Sequence, residues 1–430
     1  MSQAVDYIRE SSELAQTLEA KTKTDWLADF RKQRLNAFAH SSFPTRKTEH
    51  FKYNNLSALT RQSFARLAEA DSGDIKLPEL AEQLDADRLV LVNGEYDSSL
   101  SKLEEQAITF YRDANADQKD FILEQLNKKN DKKNIFSLLN DSLTQDGILI
   151  EFNQAQTKPL HIIYVATESA QQKTTFANCL IRVAANCQAT VVEHFATNKD
   201  ATDNSLFNQS TQCVLNDNAH LNHYRLHLEE EHTIHFGELD FWLDAHSQLN
   251  SFHVGLGSQI KRLDINVYHQ ASGSHADLNG VYLSNAQQQI DYHTNVEHRV
   301  PHCTTQEIFR GIVGGSSKAV FNGRIHILQD AQKTLAELSN KNLLLSNKAE
   351  INTKPELEIY ADDVQCAHGA TVAKMDETSL FYLQSRGIPK SQAELMLSFG
   401  FINELIDGLK HQAVGDYLRP ILANLFEQAA

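Results

Sequence analysis

Six short clusters, each an apolar residue set among small polar ones, recur along the middle of the chain. They are His220-Leu-Asn-His223, Gln248-Leu-Asn-Ser251, Asp277-Leu-Asn-Gly280, Gln289-Ile-Asp-Tyr292, Ala319-Val-Phe-Asn322 and Glu350-Ile-Asn-Thr353. Their apolar residues lie 28, 29, 12, 30 and 31 residues apart. A period near 30 built from short alternating segments and tight turns is the mark of a solenoid, in which each repeat buries its apolar face against the next. No amphipathic helix falls within a repeat, so leucine-rich and ankyrin-like arrays are excluded. Strand-only rungs predict a mainly β fold, a parallel β-helix whose inward alternate residues stack into one core. The 12-residue step then reads as half a turn of the coil. An antiparallel sandwich is the competing arrangement of the same strands, and the near-constant interval weighs against it.

The coil is expected over residues 147–374, opening with Ile148-Leu-Ile-Glu-Phe152, His161-Ile-Ile-Tyr-Val-Ala166 and Cys179-Leu-Ile-Arg-Val-Ala184. Residues 1–146 read as mainly helical. There Thr24 is placed to cap a segment whose Leu27, Phe30, Arg34 and Phe38 share one stripe, ended by Pro44. A short strand, Arg88–Gly94, closes on an Asn-Gly turn. The basic stretch Asn127–Asn134 reads as a solvated loop rather than an anion-binding tip. Residues 375–430 return to helix. Asp376 caps the first, Gly387 and Pro389 end it, and Ser391-Gln-Ala-Glu394 has the form of a capping box opening the second, with Ala393, Met396, Leu397 and Phe401 on its apolar side. Pro420 suits the first turn of a last helix.

Composition narrows the function. The 430 residues carry 40 Lys plus Arg against 56 Asp plus Glu, a formal charge of −16 that opposes a nucleic-acid partner. No apolar run approaches the roughly 18 residues of a membrane span, and Met1–Asp6 lacks the form of a secretory leader, so a cytoplasmic chain without a membrane partner is expected. Five cysteines, none as Cys-x-x-Cys, exclude a disulfide framework and a paired Cys₄ zinc site. Twelve histidines fall between His220 and His302. They fit no His-Glu-x-x-His pattern and read as polar choices on an exposed sheet face. Gly311-Ile-Val-Gly-Gly-Ser-Ser-Lys318 fails the phosphate-loop pattern, and Gly314-Gly315 reads as a rung corner.

One segment carries chemistry. Cys366 and His368 are two apart, so on a strand both point to one face, a thiol beside an imidazole. Such a pair is half of a site for a soft or borderline metal, or a Cys-His nucleophile pair, or a buried cysteine with a bonded histidine ending the last rung. Asp362 and Asp363 are adjacent, point to opposite faces and cannot act together as acid and base, which weakens the reading as a β-solenoid enzyme on an extended polymer.

The stretches Phe321-Asn-Gly-Arg-Ile-His-Ile327, Asp330-Ala-Gln-Lys-Thr334, Lys354–Thr371 and Phe381-Tyr-Leu-Gln-Ser-Arg-Gly-Ile-Pro389 together resemble the SufB/SufD family of iron–sulfur cluster assembly proteins. Phe43–Tyr53 is similar to that family's entry motif, with Phe51 where Trp is common; Ala373-Lys-Met375 departs from the usual Gly. Length and a compact N-terminal part favour the SufD branch. The resemblance implies a right-handed parallel β-helix between helical ends and a non-catalytic scaffold subunit of a SufBCD-type complex. It implies that the coil end pairs with a SufB-like subunit, or with a second copy as a homodimer when the chain is alone. It also implies that the C-terminal helices dock a SufC-like ATPase, the only route by which ATP enters, and the apolar stripe of Met396, Leu397 and Phe401 is the expected docking face. His368 then maps onto the interface histidine of a nascent iron or iron–sulfur site shared with the SufB-like subunit, with Cys366 beside it. No cofactor is expected on the isolated chain.

Overall fold

A computed structural model describes residues 6–429, apart from 20–24, 70–74, 105, 107, 129–133, 199–203 and 230–231; side chains are described to residue 424, without that of Asp25. Thr24 and most of the basic stretch at 127–134 lie outside the described residues. The chain winds as a flattened coil in which successive strands alternate between two sheets, one of ten strands and one of nine. Pairing within each sheet is parallel, apart from the short strands Glu95–Tyr96 and Ile108–Phe110 at the start. The expected parallel β-helix is therefore the fold, and the antiparallel sandwich is not. Gln248 pairs with His275, His275 with Thr304 and Thr304 with Leu335, so one turn takes about 30 residues. The 12-residue step is the expected half turn: Leu278 lies on the strand His275–Ser284 of the first sheet, and Ile290 on Gln289–His298 of the second.

The six clusters are not all equivalent in register. Leu249 stacks on Leu221, but its partner on the other side is Ala276, not Leu278. Ala319, not Val320, joins the column of Ile290 and Ile351. Val320 is shifted by one residue and turns to the outer face, because a strand's side chains alternate. Corners repeat as faithfully as strands. Asn186, Asn218, His246, Gly273, His302 and Lys333 occupy corresponding corners, all at positive φ. Gly315, in the left-handed region at φ 55°, forms the corner its sequence suggested; a Cβ there would stand 2.6 Å from the Ala286 nitrogen.

Helices cover both outer faces. On the second sheet lie Tyr7–Glu19, Ala28–Ala39, Ala116–Lys128 and Ile135–Leu143, and Phe136 stacks on Phe236 with ring centres 3.5 Å apart. Leu27, Phe30 and Phe38 are buried there, as their stripe predicts. The strand Asp87–Val92 turns at Asn93 and Gly94, both at positive φ, and pairs in parallel with Leu160–Ala166, which makes it part of the first sheet. Lys390–Asp407 and Gln412–Ala429 cover the first sheet, seating Ile402, Ile406, Val414, Leu418 and Leu422 on Val192, Leu226, Phe252 and Val281. Asp376 caps its helix, accepting from Ser379 N–H at 2.8 Å. Two details depart from expectation. Pro389 occupies the cap position and the helix starts at Lys390 with no side-chain cap, so Ser391 and Glu394 form no capping box. Pro420 lies inside the last helix, which begins at Gln412 because the stripe Val414, Leu418, Leu422 already demands helix there.

Candidate functional site

The last strand, Gln365–Lys374, is the edge of its sheet and among the described residues pairs only with Leu335–Leu344. Cys366 lies over Ala336 and His368 over Leu338, and both of those are buried in the coil's core. Cys366 and His368 thus share the inward face, as their spacing predicts, but no further rung covers them. Cys366 is partly buried against the core, and burial raises its thiol above the usual range despite the nearby Ala336 amide. A metal there would have to displace the thiol proton. His368 is exposed. The opposite sheet ends likewise at Glu350–Ile359, whose only strand neighbour among the described residues is Lys318–Ile327. Two rows of unpaired backbone groups therefore flank an uncovered core end. Beside them Ile359, Val372 and Tyr360 stand exposed, Tyr360 at 62%. Such an edge is a template for another sheet.

Beneath His368 the same inward column runs through Leu338 to Glu307. Glu307 is fully buried, neither carboxyl oxygen finds a hydrogen-bond partner among the described residues, and burial lifts it to about 8 against a lowering from nearby Thr294. It is a neutral acid at pH 7, roughly 10 Å below the open end at about 4.8 Å per rung.

Deeper in the coil the interior is polar. His223, His227, His235, His253, His269 and His298 are all buried, six of the twelve histidines in this span, so the exposed-face reading fails for half of them. Glu193 accepts from Thr211 Oγ1 at 2.7 Å, Tyr164 Oη at 3.3 Å, His223 Nε2 at 3.0 Å and Arg225 Nη1 at 3.2 Å. Burial alone would raise its carboxyl, but Arg225 and His223 hold it at about 2. His227, Glu229 and His235 bring three potential metal donors within 4.8 Å. Arg225 Nε–H donates to His227 Nε2 at 3.1 Å, which leaves the proton on the Nδ1 that faces Glu229. Lys261 Nζ donates to Glu229 at 2.7 Å. The cluster is thus already charge-compensated, and its His227 nitrogen is not free to coordinate.

The three residues expected at the ATPase dock separate. Met396 is exposed, Leu397 is half-buried, and Phe401 packs toward the first sheet, where Arg310 donates to its carbonyl at 2.7 Å and lies 5.8 Å from its ring. The preceding helix Glu377–Ser385 buries no residue and exposes Phe381 at 71%, together with Tyr382.

Residues 1–160 match the family model for the SufBD protein N-terminal region, and residues 164–401 that for the SufBD core domain of the SUF system of FeS cluster assembly. The chain belongs to the SufBD family. It is similar to the iron–sulfur cluster assembly protein SufD of Escherichia coli K12, at 31% identity over 389 residues, 89% of each chain. A SufBD family protein of Synechocystis is 27% identical over 94% of this chain and 92% of its own. SufD of Bacillus subtilis is 29% identical over 60% and 59%. SufBD membership gives the chain a role in iron–sulfur cluster assembly. No helix among the described residues is long and apolar enough to cross a membrane.

Proposed function

We propose that the chain is a non-catalytic scaffold subunit of a SufBCD-type complex, pairing through its open coil end with a SufB-like subunit and docking a SufC-like ATPase on its C-terminal helices. The uncovered core end carries this reading: two sheets stop together with their edges unpaired, and apolar side chains stand exposed beside Cys366 and His368. A second coil end set against this one would continue both sheets and bury that surface. His368 and Cys366 then offer a nitrogen and a sulfur ligand to iron or a nascent cluster, with the remaining ligands coming from the facing subunit. The exposed face of Phe381, Tyr382 and Met396 supplies an apolar surface for the ATPase. Co-purification of untagged SufB-like and SufC-like partners with the tagged chain tests the proposal. Val372→Asp with Ile359→Asp should abolish capture of the SufB-like subunit while leaving thermal unfolding unchanged. Full capture by that double variant sinks the assignment of the interface.

A further inference from the structure

On the outer face of the first sheet, where the helix Gln412–Ala429 lies against it, two histidines are shut away from water. His161 stands on Leu160–Ala166 beside Arg88 of the strand Asp87–Val92, and His194 on Gln188–Thr197 beside Ile163 and Leu226. Each is 1% exposed, and their rings stack with centres 5.6 Å apart. Tyr417 of the helix meets His194 edge-on, with ring centres 5.7 Å apart. His161 Nε2 and His194 Nδ1 are buried and find no partner among the described residues. An imidazolium donates from both nitrogens, so neither ring can take a proton here without leaving a buried N–H unpaired.

The surrounding charges do not relieve this. Arg88 and His194 both oppose a proton on His161. Arg88 is itself engaged by Glu82 of the short helix Leu80–Gln83, at 3.2 Å. At His194 the favourable charge comes from Glu229, which is already bound by Lys261 and His235. On the helix, Asp416 and Arg419 pair with each other, and burial pushes Tyr417 up to about 12, with Glu79 adding to the rise. His411, just before the helix, meets Tyr224 edge-on. Burial therefore holds His161 well below the usual imidazole range and His194 at about 3.

We propose that the stacked pair is an acid latch: protonation of His161 and His194 frees the helix Gln412–Ala429 from the first sheet while the coil beneath keeps its strands. Release gives the rings water and breaks no strand pair of the coil. Above about pH 6.5 the rings are neutral in both states; below it the released state takes protons that the closed state refuses, so closure weakens as pH falls. Between pH 7 and pH 5 each imidazole so exposed favours release by about 25-fold. The six histidines buried inside the coil carry a similar cost, but only a broken rung exposes them, so they act on global unfolding. The latch is independent of any partner.

Hydrogen exchange of the full chain at pH 7, 6 and 5, read by mass and corrected for the intrinsic rate at each pH, tests it. Protection of residues 412–424 should fall about 25-fold or more from pH 7 to pH 5, while the strand Ile260–His269 stays protected. In His161→Leu with His194→Leu, which cannot take the protons, the fall should shrink below about threefold. His194→Gln, the milder change, should by itself reduce the fall about tenfold or more. A fall below about tenfold in the wild-type chain, loss of the coil strand together with the helix, or the same fall in His194→Gln as in wild type overturns the proposal.

Discussion

Replacing Glu307 by Gln should make the coil less sensitive to alkali. Burial raises this carboxyl from 4.5 to about 8. Between those values the unfolded chain has released the proton and the folded chain still holds it, so stability falls as pH rises from about 4.5 to about 8, and levels off above. Each pH unit in that window costs about 1.4 kcal/mol, which makes the burden about 3 kcal/mol at pH 7. Glu307→Gln keeps the shape and removes the ionisation. Its buried NH₂ brings a cost of its own, about 1–3 kcal/mol, but that cost does not vary with pH. The diagnostic is therefore the difference between variant and wild type, not either value alone. Urea unfolding of both proteins at pH 5, 6, 7 and 8 should show the variant gaining about 1.4 kcal/mol per unit relative to wild type. A difference that stays flat from pH 5 to pH 8 would refute the assignment of a neutral buried acid beneath the coil end.

Three further outcomes follow from the interior and the surfaces. Arg225→Leu leaves Glu193 buried without its cation and should cost about 3–5 kcal/mol in urea unfolding, whereas Arg225→Leu with Glu193→Gln should recover much of that. Met396→Glu, at an exposed position, should reduce capture of the SufC-like ATPase without moving the unfolding midpoint; Phe401→Glu should lower that midpoint as well, because its ring packs toward the sheet. His368→Ala should leave folding and complex formation unchanged and lower the iron and sulfide recovered with the purified complex, and full recovery would return it to a polar residue finishing a strand.

The parallel coil is legible because nothing else repeats every 30 residues without helices, and the Cys366/His368 face is legible because strand alternation holds at the last rung as elsewhere. The buried histidines are not, for a reason visible on one strand. On His220–His227 the alternate set Leu221, His223, Arg225, His227 faces the coil interior, while Tyr224 and Leu226 face the C-terminal helices. Both faces are covered, so the apolar set no longer marks the inside, and the more polar set is the inward one. Glu307 shares this trait: Thr305-x-Glu307-x-Phe309 alternates inward, but an acid there reads as outward until the register is known. The helix starts depart from the local signals where a stronger one acts, at Pro389 before Ser391 and at the apolar stripe that begins with Val414 ahead of Pro420.

The same interior polarity supplies what apolar alternation lacks. In a strand buried on both sides, a slip of one residue exchanges one apolar environment for another and costs little in burial. It costs much more in charge. Slipping His220–His227 by one position would turn Arg225 toward the helix-covered face, away from Glu193 and Gln209, and separate His223 from both Glu193 and Ser251. Glu193 would be left buried with two of its four donors gone, a penalty of about 3–5 kcal/mol by the measure of broken buried pairs. Lys261 and Glu229 pose the same condition one layer on, tying the strand Ile260–His269 to the loop after His227. The charged groups inside the coil therefore act on register at the rungs of Glu193 and Glu229, where an acid meets its base, and the later rungs up to the edge that carries Cys366 and His368 stack on those.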